Sequence, residues 1–276
     1  MTAVSTATPR KRGFLARPDG GIYHEVTGSG PAIVFAHGMG GNHLSWWQQV
    51  PVFSNRYTCI TFSHRGFFPS DAPPDPAQYA GDVAALLDHL GIERSVIVAQ
   101  SMGGWTAVDF ALTYPDRLVA MVLASTSGPI DPKLAGPGAP ALVTAWEAKA
   151  AEAHAAEARI GAHAAMGVRG ATEQPALHQL YRAVDELSSS LDKAALRARI
   201  RAARTRPASD LAAIATPCLW LTGEEDCVFP SPVAPLMAAH MPNARHAEVP
   251  AAGHSAYFER AAAFNTLVTE FLAARE

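Results

Sequence analysis

Residues 95–105 read SVIVAQSMGGW, and this stretch decides the fold. Val96, Ile97 and Val98 are apolar and β-branched in succession, as in a strand buried on both faces of a parallel sheet. The run stops at Gln100-Ser101-Met102-Gly103-Gly104, and residues 105–112 read as a helix. A strand that turns into a helix across one residue leaves that side chain, Ser101, standing clear of the sheet. Ala99 and Gly103 flank it two residues to either side, and only small side chains there let so sharp a turn form. The spacing predicts a nucleophilic serine at the carboxyl end of a strand. Ala99, where glycine is more usual, opens the turn slightly.

Outward from this centre, strand and helix alternate. Residues 14–18 and 22–27 predict a hairpin across Asp19-Gly20-Gly21, whose glycines supply the positive φ that such turns need. Residues 32–36, 57–62 and 118–124 read as strands, and a helix is expected over 44–52. Residues 77–90 carry an amphipathic helix closed by Gly91. This alternation implies a right-handed, mostly parallel sheet of about eight strands with helices on both faces.

The stretch GPIDPKLAGPGAP at 128–140 breaks the rhythm as a linker, and residues 141–206 hold helical pattern alone. Leu177, Leu180, Tyr181, Val184 and Leu187 form one apolar stripe, and Leu196, Ile200 and Ala203 another. Arg197, Arg201 and Arg204 lie on a separate face of that second helix, which we read as solvated, with attraction of an anionic substrate as the alternative. Alternation then resumes with a strand at 218–221, a helix near 233–240, a strand at 247–249 and a final helix over 256–273. The expected organisation is a tail at 1–12, a core of 13–128 and 207–276, and an all-helical cap at 129–206 inserted in it.

The 276 residues suit one large α/β domain with an insertion, and 49% hydrophobic residues supply an ample core. A net charge of −3 is too slight for a nucleic-acid or anionic-membrane partner. No apolar run approaches the roughly 18 residues of a membrane helix. The first dozen residues lack the apolar core of a signal peptide, and three cysteines cannot pair completely. The expectation is a reduced, cytoplasmic protein acting on a small molecule, with self-association left open.

A serine hydroxyl needs a base to become nucleophilic, and histidine titrates near working pH. His254 follows the last predicted strand in Pro250-Ala251-Ala252-Gly253-His254, at the same sheet edge as Ser101. The imidazole in turn needs a carboxylate to hold its tautomer. Three acids crowd Thr222-Gly223-Glu224-Glu225-Asp226-Cys227, one strand earlier; Asp226 is the first choice and Glu225 the reserve. Backbone N–H groups of Met102 and of Met39, in His37-Gly38-Met39-Gly40-Gly41, are placed to hold an oxyanion. That glycine-rich loop lacks the spacing of a dinucleotide or phosphate cradle, and His37 reads as packing beneath it. Neither metal nor cofactor is expected. Gly38, Trp46, Phe67, Trp105, Trp146, Met166 and Tyr181 are candidate walls of an apolar pocket, whereas Trp47, and Trp105 as an alternative to the wall, read as core.

With these four landmarks in order, the chain resembles a capped α/β-hydrolase over nearly its full length. The order Ser101, Asp226, His254 is the order that the resemblance implies. The elbow Gln100-Ser101-Met102-Gly103-Gly104 is similar to those of esterases, enol-lactonases, cofactor-free haloperoxidase-type perhydrolases and C–C bond hydrolases. Epoxide hydrolases and haloalkane dehalogenases share the layout with an aspartate nucleophile, from which Ser101 departs. A second departure is Ser63-His64-Arg65-Gly66, where the family more often begins with Asp. The implied activity is hydrolysis of a carboxylic ester or lactone of a small, largely hydrophobic substrate through an acyl-enzyme. The alternatives are C–C cleavage of a diketone-like substrate, or a non-hydrolytic biosynthetic or ligand-binding role on the same fold.

Overall fold

The computed structural model describes residues 9–274. Its strands are β1 (Lys11–Arg17), β2 (Gly20–Thr27), β3 (Ala32–Ala36), β4 (Thr58–Phe62), β5 (Ser95–Gln100), β6 (Leu118–Ala124), β7 (Cys218–Gly223) and β8 (Ala244–Val249). They form one sheet in the order β1-β2-β4-β3-β5-β6-β7-β8. Only β2 runs against its neighbours; from β4 to β8 every adjacent pair is parallel.

The helices are α1 (Val50–Phe53), α2 (Tyr79–His89), α3 (Gly103–Thr113), α4 (Ala139–Ile160), α5 (Gly167–Glu173), α6 (Pro175–Glu186), α7 (Lys193–Ala203), α8 (Ala234–Ala238), α9 (Ala256–Glu259) and α10 (Ala261–Ala273). Alternation along the strands divides the core in two. Ile97 packs with Val34, Ile60 and Trp220 under Leu86 of α2, Phe110 of α3 and Met237 of α8. Val96 and Val98 face the other way, with Phe35 and Leu219, under Phe53 of α1 and Phe264, Val268 and Phe271 of α10. Both faces of β5 are therefore dry, which is why its sequence carries no polar alternation.

Between β6 and β7 the described chain holds the four helices α4–α7 and no strand, apart from an isolated bridge between Ile130 and Arg206 at its base. This all-helical segment meets the carboxyl edge of the sheet, where Trp146 Nε1 donates to Asp226 O, as the expected cap would. Among the described residues no helix is long and apolar enough to cross a membrane.

Several elements differ from the sequence reading. Lys11 and Arg12 are not tail but strand, paired with Val26 and Glu25; residues 1–8 of that tail lie outside the described residues. The helix expected over 44–52 is a 3-10 turn at His43–Trp46 followed by the four-residue α1. Asn42 caps the turn by accepting from the Leu44 N–H, and the chain restarts with Pro51 in the first turn of α1. The last helix breaks at Arg260, whose φ of −128° ends α9 while its Nε donates to the Ala251 carbonyl at 2.9 Å. The Ser63–Gly66 loop is fixed by Arg65, buried in a two-bond fork to Asp82 at 2.7 and 2.9 Å.

Candidate active site

Ser101 sits where β5 gives way to α3, with a φ of +51° that non-glycine residues rarely adopt. The turn is held by the Ser101 N–H donating to Ala124 O at 2.9 Å and Thr126 Oγ1 donating to Ser101 O at 2.6 Å. Gly103 is required there: a Cβ would collide with the carbonyl of Ala36 on the neighbouring strand.

Three strand ends bring three side chains together. His254 Nε2 lies 2.9 Å from Ser101 Oγ, and His254 Nδ1 lies 3.0 Å from Asp226 Oδ2. Asp226 Oδ1 also accepts the N–H groups of Val228 and Phe229, both at 2.9 Å, so the carboxylate is buried but well supplied with donors. Glu225, the reserve acid, instead pairs with Arg169 at 2.8 Å at the surface and does not reach the histidine. The N–H groups of Met39 and Met102 face no acceptor among the described residues, and both residues line the same cavity as Ser101 and His254.

His37 packs beneath the glycine-rich loop. Its Nδ1 donates to Gly38 O at 2.7 Å and its Nε2 accepts from the His64 N–H at 2.9 Å. Burial pushes its pKa down to about 3, so it stays neutral. His64, equally buried, is lowered for the same reason and bonds Thr106 Oγ1 at 2.8 Å.

The cavity holds about 940 Å³ between sheet edge and cap. Of the expected walls, Trp146 and Tyr181 line it, beside Val143, Ile200 and Phe229. Trp146 also ties the cap to the acid, its Nε1 donating to Asp226 O at 2.9 Å. The other expected walls are elsewhere. Trp46 is buried between Phe35 and Tyr257, with ring centroids at 5.2 and 4.5 Å. Phe67 and Trp105 pack with Tyr79 under the loop, Met166 is wholly buried, and Gly38 lies against Gln100 and Ser101. Trp47, read as core, is 45% exposed.

Two groups that the sequence reading passed over set the histidine loop. Glu259 accepts from the N–H groups of Gly253 at 2.9 Å and Ser255 at 3.1 Å, on either side of His254. Burial pushes its pKa up to about 8, against the pull of those two donors. Gln100 Nε2 donates to His254 O at 3.2 Å. The signal for Glu259 was there: a carboxylate in an otherwise apolar turn, Ser255-Ala256-Tyr257-Phe258-Glu259.

A family model described as alpha/beta hydrolase fold matches residues 31–261. The 3-oxoadipate enol-lactonase 2 of Acinetobacter baylyi is 36% identical over 103 residues, covering 36% of this chain and 39% of that protein. Epoxide hydrolase 2 of Siraitia grosvenorii is 41% identical over 101 residues, covering 34% of this chain and 32% of that protein. These matches span about a third to two fifths of the relatives' length. The solved enol-lactonase of Burkholderia xenovorans LB400 superposes with a TM-score of 0.74 at 26% identity, covering 95% of this chain and 100% of its own.

Proposed function

The chain belongs to the alpha/beta hydrolase family, and from that we propose that it hydrolyses a carboxylic ester or lactone of a small molecule through Ser101, His254 and Asp226. One observation carries the reading: Ser101 Oγ, His254 and Asp226 form an unbroken chain of contacts at 2.9 and 3.0 Å, opening on a cavity. The likeness to two enol-lactonases supports the acyl, and specifically the lactone, end of the range.

In this mechanism His254 Nε2 takes the Ser101 proton as Oγ attacks the substrate carbonyl carbon. The carbonyl π pair moves to oxygen, and the N–H groups of Met39 and Met102 hold that oxyanion. Collapse breaks the ester C–O bond, and the leaving oxygen takes the proton from His254. Water, deprotonated by the same nitrogen, then attacks the acyl-enzyme and releases the acid and Ser101. Asp226 keeps Nδ1 protonated and stabilises the imidazolium.

The test is intact mass after a fluorophosphonate, run with Ser101→Ala and His254→Ala, beside turnover of a panel of aryl and alkyl esters. A single adduct that needs both residues, with ester turnover, is the expected result. No adduct on the wild type would overturn the assignment.

A further inference from the structure

Helix α7 was read from sequence as presenting a solvated basic face, with attraction of an anionic substrate as the alternative. Arg197 and Arg201 are indeed exposed and Arg204 is half-buried, and all three line the cavity that holds Ser101 and His254. The other basic side chains lining it are already neutralised: Lys133 lies 3.4 Å from Glu147 and Lys193 lies 2.7 Å from Asp185. The three arginines have no carboxylate within 4.0 Å among the described residues, and Asp131 is the one remaining acid on the wall. The cavity therefore carries a positive excess inside a chain whose net charge is −3.

Arg204 is the most committed of the three. It is half-buried, its Nε donates to Gly128 O at 3.2 Å, and its guanidinium lies over the Trp105 ring at 5.9 Å. These contacts fix the plane of the fork, while Nη1 and Nη2 make no hydrogen bond among the described residues. Burial and the like charge of Arg201 both act against its protonation. A cation held in place at that cost, with its bidentate end unused, is completed by an anion brought in from outside.

We propose that Arg204, with Arg201 and Arg197, forms an anion subsite that takes a carboxylate of the substrate, making the substrate a carboxylate-bearing ester or lactone. The subsite deepens the serine-hydrolase reading and rests on it for the reaction. The apolar wall of Val143, Trp146, Ile200 and Phe229 then receives the carbon skeleton.

The test compares 4-nitrophenyl hydrogen glutarate, which carries an acyl-side carboxylate, with its neutral methyl ester. The wild type is expected to favour the anion in kcat/KM. Arg204→Gln and Arg201→Gln should each cut that preference roughly 10–100-fold, the worth of a charge-assisted hydrogen bond. Arg204→Lys should restore part of it. Arg199→Gln is the control for charge alone: it removes a cation from the same helix, but one that pairs with Asp75 outside the cavity. An unaltered preference in both glutamine variants, or equal use of the two esters by the wild type, would overturn the subsite.

A second readout separates this failure from failure of the hydrolase reading. Monomethyl glutarate is titrated calorimetrically into Ser101→Ala and into Ser101→Ala/Arg204→Gln. Binding to the first that is lost in the second supports the subsite even if no ester turns over. Absence of binding to Ser101→Ala counts against it.

Discussion

Replacing Glu259 by glutamine tests whether a buried acid governs stability across the neutral range. In the wild type the carboxyl is raised from 4.5 to about 8 by burial, with Asp226 adding to the rise and Arg260 opposing it. A raised acid pKa means that the folded state binds a proton the unfolded state has already released. Its stabilising contribution is complete below about pH 4.5 and is lost as pH climbs through 8. Between pH 5.5 and 7.5 the folded chain holds nearly one extra proton, so the loss is roughly 2–3 kcal/mol.

Glutamine has no proton to lose. Its oxygen can serve the Gly253 N–H, while its NH2 faces the Ser255 N–H, which keeps a second acceptor in Ala165 O at 3.0 Å. The variant is therefore expected to start about 1 kcal/mol below the wild type at pH 5.5. It should overtake the wild type by pH 7.5. Urea unfolding of both proteins over pH 5–9 reads the difference directly, because other titrating groups, such as His37, cancel in the comparison. A stability difference that stays constant with pH, or that moves in the wild type's favour as pH rises, would refute the reasoning.

Asp226→Asn should lower kcat roughly 10⁴-fold with the fold intact, because the amide presents N–H to His254 Nδ1 and turns the wrong tautomer toward Ser101. Glu225→Gln should leave the rate within about twofold, since that carboxylate only meets Arg169 at the surface; steady-state kinetics on one aryl ester checks both. Gly103→Ala should destabilise by about 2 kcal/mol or more, as the new Cβ meets backbone that cannot rotate away. Thermal unfolding of that variant would contradict the reading if the midpoint did not move.

What was legible in the sequence follows from what periodicity can carry. Runs such as Val96-Ile97-Val98 state that both faces are dry, and the small residues around Ser101 state that the chain turns sharply; both reappear in β5 and its elbow. The helices between β6 and β7 showed through their apolar stripes, with Tyr181 and Val184 buried as that spacing implies, whereas Leu180 and Leu187 of the same stripe are exposed. Periodicity gives the polarity of a face and not what lies opposite it. The Arg197, Arg201 and Arg204 face looks the same in sequence whether it meets solvent or a cavity, and the placement of α7 gives both: Arg197 and Arg201 are exposed where they line the cavity, and Arg204 is half-buried. Aromatic residues near a catalytic loop were equally ambiguous: Trp46 went under the sheet against Tyr257, while Trp146, far off in sequence, reached the wall. The break at Arg260 escaped notice because its cause, the carbonyl of Ala251, lies nine residues back in a loop.

The bond from Trp146 to the peptide of Asp226 has a mechanical meaning. The cap grips the core at the carboxylate end of the chain of contacts, and Cys227 adds a second fastening there by donating to the buried Glu157 of α4 at 3.1 Å. Ser101, by contrast, is anchored to β6 and the loop after it, through Ala124 and Thr126, and to α3 through Gly104. A displacement of α4 would therefore reach Asp226 before Ser101. The wall of the cavity and the carboxylate beside His254 thus share one anchorage, at the end of β7.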